Sequence, residues 1–486
     1  MHIPNKTISV LLTVILLGVS ALALMTPDER YVAAPAFACV FMVLLLWMKL
    51  WDFDQKIPFF DIGVICALAT LVYTIYPLVN YWVGGLQFGF LSDNRLQSYG
   101  ISPAELGFFH LRHVLYLFSF VFFYLLFRER GFLETGNVSA PRRSYRQAIV
   151  IFFLTLTGYF FFLHLMAGVN YNASYESEEY AKNLAAFSSL PLILLQISSK
   201  LWSILFIFKL ALLFLVVSQC RQKKWLIILF AWVTFEIVQA IIVKGPRTDL
   251  VLFLMAAILF YHRMIQNFSI KLLIASGASL FILFMVLGIY REYIDVPSLQ
   301  LDLSVSDATI FSIGNEFQSL LGTSYDVFQR KLSGTDFPWY IYINDIITIF
   351  PPQQIMPFEK VPASEWYLRE LGISGTGVGL MWGVISQSIV GFDWFEIAFR
   401  GGVLGYVLAL FHRWYIKHQT GFLATLLYVF FCLKVYYTFR DTTFSFLGNL
   451  VWEFVPFYVL LHIGGGILSG KVKVLPKYNI ALSPQD

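Results

Sequence analysis

Residues 31–50 read YVAAPAFACVFMVLLLWMKL, and this stretch decides the fold. No charged side chain interrupts it from Tyr31 to Met48, and at about 1.5 Å per residue such a helix crosses a hydrocarbon layer of roughly 30 Å. Comparable runs recur at 7–25, 59–83, 108–127, 147–167, 190–219, 225–243, 249–265, 272–290, 394–412, 420–438 and 450–468. The 486-residue chain is 58% hydrophobic and 13% charged, too apolar to close around one aqueous core. The ten-residue alternating strands of a transmembrane barrel are absent from the pattern. The expectation is therefore an all-α polytopic membrane protein with about twelve transmembrane helices.

Orientation follows from Lys and Arg, which stay on the cytoplasmic side during insertion. With the N-terminus inside, 18 of the 34 fall in short inner segments, including Arg128, Arg130, Arg142, Arg143 and Arg146. Both termini are then cytoplasmic. The net charge of +4 reflects this bias and points to no nucleic-acid partner. Lys6, the apolar run after it and Ala21-Leu22-Ala23 also admit a cleaved signal peptide, though the run is nearly long enough to span. Cys39, Cys66, Cys220 and Cys432 lie in spans or at their inner ends, without disulfide or zinc spacing.

One connection is long. The chain divides into residues 1–290 with spans one to nine, a large outer segment at 291–393, and residues 394–486 with three more spans and an inner tail. A segment of that length is usually functional. Within it, 306–329 reads as an amphipathic helix, with Ile310, Ile313, Phe317 and Leu320 on one face and Ser312, Asn315, Glu316 and Ser319 on the other. Residues 337–350 are apolar enough to dip into the membrane, and a glycine-rich stretch from Gly372 to Gly383 leads to span ten.

Several arginines stand at the outer membrane edge against the charge rule: Arg247 after Lys244-Gly245-Pro246, Arg291 after Tyr290, Arg369 and Arg440. A guanidinium presents a rigid fork of donors that suits phosphate oxygens, so such a set fits the diphosphate of a lipid carrier. The plainer alternative is that each snorkels or pairs with an acidic neighbour. Glu316 is a candidate general base and Asp441 a second one. Arg112, Lys200, Lys209, Glu236, Glu396, Arg400, Lys434 and Glu453 lie inside spans and must face protein or water. Lys434 and Glu453 are placed to pair. Arg400, followed by Gly401-Gly402, is placed to reach a substrate cavity. Asp52-Phe53-Asp54 has the spacing of a glycosyltransferase metal motif but reads as a polar turn on the inner side. No His/Asp/Glu cluster suggests a metal, and no cofactor is expected.

From span seven onward the chain resembles the Wzy-type O-antigen polymerases, the oligosaccharide repeat-unit polymerases of bacterial inner membranes. The likeness rests on the late outer segment and on Lys244-Gly245-Pro246-Arg247, Ile289-Tyr290-Arg291, Glu316-Phe317 and the glycines from Gly375-Thr376-Gly377 to Gly401-Gly402. It implies a metal-independent, inverting glycosyltransferase that moves a glycan from undecaprenyl diphosphate to a second lipid-linked repeat unit on the periplasmic side. The implied diphosphate ligands are Arg247, Arg291, Arg440, Arg369 and Lys244, with Arg400 and Tyr290 as further substrate contacts and Glu316 or Asp441 as base. The implied partners are the lipid-linked oligosaccharide, the bilayer and a chain-length regulator protein. The related O-antigen ligases carry a histidine in the large segment, and none stands between Arg291 and Asp393. A lipid-linked oligosaccharide flippase or another transporter is the alternative from a different class.

Overall fold

A computed structural model of the chain describes residues 5–54, 60–84, 99–129, 138–167, 192–242, 247–266, 320–349, 361–372 and 381–470, with Gly136 and isolated residues between 269 and 282. Among them there is helix and no strand. The helices are α1 (Asn5–Leu24), α2 (Pro27–Asp54), α3 (Ile62–Gly84), α4 (Pro103–Phe127), α5 (Arg143–Ala167), α6 (Leu192–Ser218), α7 (Lys223–Ile242) and α8 (Arg247–Met264). After α9, at residues 320–332, come four short ones: α10 (Trp339–Tyr342), α11 (Asn344–Ile349), α12 (Ala363–Glu370) and α13 (Gly383–Val390). Then follow α14 (Trp394–His418), α15 (Phe422–Lys434), α16 (Tyr437–Arg440) and α17 (Ser445–Asn449). A π-turn at Leu450–Phe454 runs into α18 (Val455–Leu468). Seven described helical stretches are long and apolar enough to cross a membrane. The expected spans up to residue 265 and from 394 onward each coincide with a helix, and the one at 272–290 lies mostly outside the described residues.

Helix α4 shows why lipid is the solvent. Its start is fixed by a capping box, with Ser102 and Glu105 exchanging hydrogen bonds and Pro103 supplying a pre-set φ in the first turn. Beyond the cap, the buried face carries His110, Arg112, His113, Tyr116 and Ser119. The outward face carries Phe108, Leu111, Phe118, Phe122 and Leu126, with Phe108 61% exposed. A water-facing helix is patterned the other way.

α4 is the centre of the bundle, clasped mainly by α2 and α14. Each contact is made by glycine. A Cβ on Gly107 would stand 2.2 Å from the Tyr31 carbonyl oxygen of α2. Cβ atoms on Gly401 and Gly405 of α14 would each stand 2.4 Å from a carbonyl oxygen of α4, those of Tyr116 and Phe120. Small residues four apart let two membrane helices bring their backbones together, where dispersion replaces the hydrophobic drive that lipid cannot supply. The two helices run parallel, since Arg112 meets Asp393, Tyr116 meets Gly401 and Phe120 meets Gly405.

The shared direction gives the bundle two distinct ends. At one, Asp61 is fully buried and accepts from Tyr124 Oη at 2.6 Å, Arg128 Nε at 2.9 Å and the Gly63 amide at 2.9 Å. His412 Nε2 lies 3.5 Å from the same carboxylate, and Arg263 donates to Tyr415 and Gln419 nearby. At the other end sit Asp393, residues 320–349 and the 436–445 turn. Arg247 opens α8 while Arg263 closes it, so Arg247 stands at this second end.

The outer segment differs in part from its one-sided pattern. Ile310, Ile313, Phe317, Ser312, Asn315, Glu316 and Ser319 lie outside the described residues. Where α9 is described, residues 320–327 are buried on every side, including Thr323, Ser324 and Asp326. Asp326 ties the segment together by accepting from Tyr367 Oη at 2.6 Å, from Arg330 Nε at 2.8 Å and from Tyr99 Oη. Burial alone raises this carboxyl, but the Tyr367 and Tyr99 hydrogen bonds and the Arg330 charge outweigh it and hold it below the ordinary aspartate range.

Candidate functional site

Four stretches of chain meet at the second end. The apolar 337–349 stretch folds back into the bundle as α10 and α11, with Ile341 buried and its carbonyl accepting from Gln387 Nε2 at 2.7 Å. This carries Asp345 to Arg400 of α14, an ion pair buried on both sides. Arg400 also holds Glu396 at 2.6 Å and donates to the Thr443 hydroxyl at 3.2 Å. Thr443 belongs to the turn between α16 and α17, which begins with Asp441 directly after Arg440, the last residue of α16.

Arg440 lies over the Tyr437 ring with its guanidinium carbon 6.0 Å from the centroid. Asp441 is pushed up to about 6, first by burial and then by the Asp345 charge, against the pull of Arg440. The count of charges agrees with this. Two guanidiniums, Arg400 and Arg440, lie among three carboxyls, Asp345, Glu396 and Asp441, so the group has one more anion than cation. A carboxyl near 6 is deprotonated at neutral pH yet basic enough to take a proton, as a general base requires.

The corner before Arg400 is held stiffly. Asp393 has the chain's positive φ outside glycine among the described residues, 49°, and its carboxylate takes both Arg112 Nε and Nη2, at 2.8 and 2.7 Å. Arg112 lies among the rings of Phe328, Trp394 and Phe109 at 4.5–5.0 Å. Lys331 Nζ caps the end of α13 on the carbonyls of Ile389 and Gly391, each at 2.6 Å. Glu396 Oε2 accepts from the Phe392 amide at 3.0 Å. The strained φ survives because these contacts over-determine it.

The site residues expected from sequence fall into three groups. Asp441, Arg440 and Arg400 come together, and Arg400 arrives with its fork occupied by Asp345 and Glu396 rather than open toward a cavity. Arg247 is described as the first residue of α8, without its side chain. Arg369 is an exposed residue of half-buried α12 and pairs at 3.2 Å with Glu365, four residues earlier. Glu316, Arg291, Tyr290 and Lys244 lie outside the described residues. The expected Lys434–Glu453 pair forms at 3.1 Å. A second pair, Lys209–Glu236, closes at 2.6 Å with Trp232 donating to the same carboxylate.

Sequence reasoning missed Asp345, although a lone carboxylate in an apolar run was a visible signal. It also missed the polar lining of α4. His110 and His113 stack edge to face with centroids 4.5 Å apart, and all four ring nitrogens lack a hydrogen-bond partner among the described residues. The hydroxyls of Tyr116, Tyr436, Thr442 and Ser445 lack one too. A buried polar group left bare costs about 1–3 kcal/mol, so six such side chains together rival the net stability of a domain, about 5–15 kcal/mol. No protein-family model, curated protein or solved structure matches this chain.

Proposed function

We propose that the chain is a polysaccharide polymerase of bacterial inner membranes, an inverting glycosyltransferase working on glycans linked to undecaprenyl diphosphate. In this reading about twelve helices span the membrane, both termini are cytoplasmic, and residues 291–393 and the Arg440 turn face the periplasm. Asp441 takes the proton of the attacking sugar hydroxyl. The new glycosidic bond forms as the bond to the lipid diphosphate breaks, and Arg440, with Arg247, Arg291 and Lys244, neutralises the departing anion. Glu316 is the other carboxylate for the proton. The observation that carries the reading is Asp441, a carboxyl held at about 6 beside Arg440 at the bundle end where α8 begins with Arg247.

The test is chain growth on a defined lipid-linked repeat unit by purified protein. Wild type should elongate it and Arg440→Ala should not, while remaining in the membrane. Full-length polymer from Arg440→Ala would defeat the anion-site reading.

A lipid-linked oligosaccharide flippase is the second reading, favoured by the intramembrane pairs Lys209–Glu236 and Lys434–Glu453. It predicts that these pairs, and not Arg440 or Asp441, carry the essential residues.

A further inference from the structure

We propose that His110, His113 and Tyr116 hold internal water continuous with the Asp345–Asp441 group, and that the two imidazoles receive the proton that Asp441 takes from its substrate. Ring contacts lead from α4 to Phe439, two residues before Asp441. Asp441 and Asp345 feel each other's charge, and Asp345 in turn acts on Tyr116. Tyr116 and His113 each meet the Phe439 ring at 5.5 Å, and His110 follows one turn along α4. Thr438 lies beside Tyr116 and donates its hydroxyl to the Val435 carbonyl at 2.6 Å, so toward the phenol it can only accept.

Native interiors leave few buried polar groups bare, and six such side chains on α4 and the adjoining turn need a partner that the described residues do not provide. The partner must be polar, uncharged and small enough for a closed interior. Water meets all three conditions, and a bridging water typically makes about three such bonds.

The chemistry gives this water a task. A lipid-linked glycan seated over the turn covers the outer side of Asp441, so the abstracted proton needs an inner acceptor. Each neutral imidazole offers one lone pair. The hydroxyl O–H bond breaks and its proton passes from the Asp441 carboxyl through water to a ring nitrogen of His113 or His110, giving an imidazolium that returns the proton once product leaves. The groups facing the pair are Arg112 on α4, Tyr73 and Cys66 on α3, Thr438 and Phe439 on α16, and Asp345 and Arg400 across Tyr116.

The water site is independent of catalysis, whereas the relay rests on the glycosyl-transfer reading. Protein labelled with ¹⁵N-histidine in lipid bilayers is examined for magnetisation transfer from water to the ring nitrogens, with His110→Phe and His113→Phe assigning the signals. Both rings should receive it. Exposed His418 should as well, and His412, bonded to Tyr428 at 2.7 Å, should not. Dry His110 and His113 would overturn the proposal.

On a lipid-linked repeat unit, His110→Phe/His113→Phe should lose about a hundredfold in kcat with KM unchanged, the low end for removing a positioned proton-transfer group. His113→Gln, polar but without an imidazole's basicity, should keep the water and lose the rate. Hydrated rings with an undiminished kcat in the double variant would sink the relay and leave the polymerase reading standing. A wild-type protein inactive on every lipid-linked unit would remove both the polymerase reading and the relay, and the labelling would still decide the water site.

Discussion

Replacing Asp441 by Asn should make the protein more stable and inactive. The carboxyl sits at about 6 against an ordinary 3.8, so holding it ionised at neutral pH costs the fold about 3 kcal/mol. Asn keeps the shape and removes the charge, and with it the conflict with burial and with Asp345. The sign follows from linkage. A carboxyl whose folded value is raised imposes no penalty below 3.8, where it is neutral in both states, a growing penalty between 3.8 and about 6, and the full one above that. Thermal unfolding in detergent should therefore show Asp441→Asn above wild type at about pH 8, with the gap closing by about pH 4. Polymer formation by wild type should fall as pH drops through about 6, and the variant should lose at least about a hundredfold at any pH. A variant that is less stable at about pH 8, or a gap that ignores pH, would refute the strained carboxyl. Wild-type turnover by the Asn variant would move the base to Glu316.

Arg400→Ala leaves Asp345 and Glu396 inside the bundle without their cation, a loss of about 3–5 kcal/mol, read as depleted membrane-inserted protein; adding Asp345→Ala should recover part of it. Asp326→Asn should loosen the outer segment, measured as protease cleavage within 320–372. Since the Asp326 carboxyl is held low, wild type should keep its resistance above the ordinary aspartate value and lose it as pH falls through the lower folded one. Gly405→Ala should part α14 from α4 and cost about 1–3 kcal/mol or more in unfolding, whereas Gly158→Ala, with nothing within 4 Å, should be neutral or slightly stabilising. Single cysteines at exposed Ser139 and Ser333, in a background without the four native ones, should react with an impermeant reagent from opposite sides, and labelling from one side would defeat the topology.

The helices were readable because lipid enforces one rule, that each backbone group be satisfied within its own segment, and runs such as 31–50 and 394–412 obey it locally. Partners across the bundle were not readable in the same way. Arg112 was recognisable as a charge that must face protein, but nothing near it in the chain announces Asp393. Gly401 and Gly402 read as the end of a glycine-rich approach to span ten, and Gly401 turned out to pack backbone against Tyr116. The arginine fork at 400 was legible as chemistry, while its occupation by Asp345 depended on how the 337–349 stretch folds back, which no periodicity encodes. Asp441 was legible as a carboxylate beside an arginine. Its raised value was not, because that value comes first from burial and then from Asp345, ninety-six residues earlier.

The clasp between Arg112 and Asp393 joins positions 281 residues apart. A ribosome delivers α4 to the membrane long before it makes the residue that neutralises it. Until then the nascent chain carries an arginine whose insertion costs about 2.5–3.5 kcal/mol. Assembly of the N-terminal helices therefore stays provisional until the last quarter of the chain is synthesised. A product truncated before residue 393 lacks the carboxylate that neutralises Arg112, which marks an incomplete chain for membrane quality control.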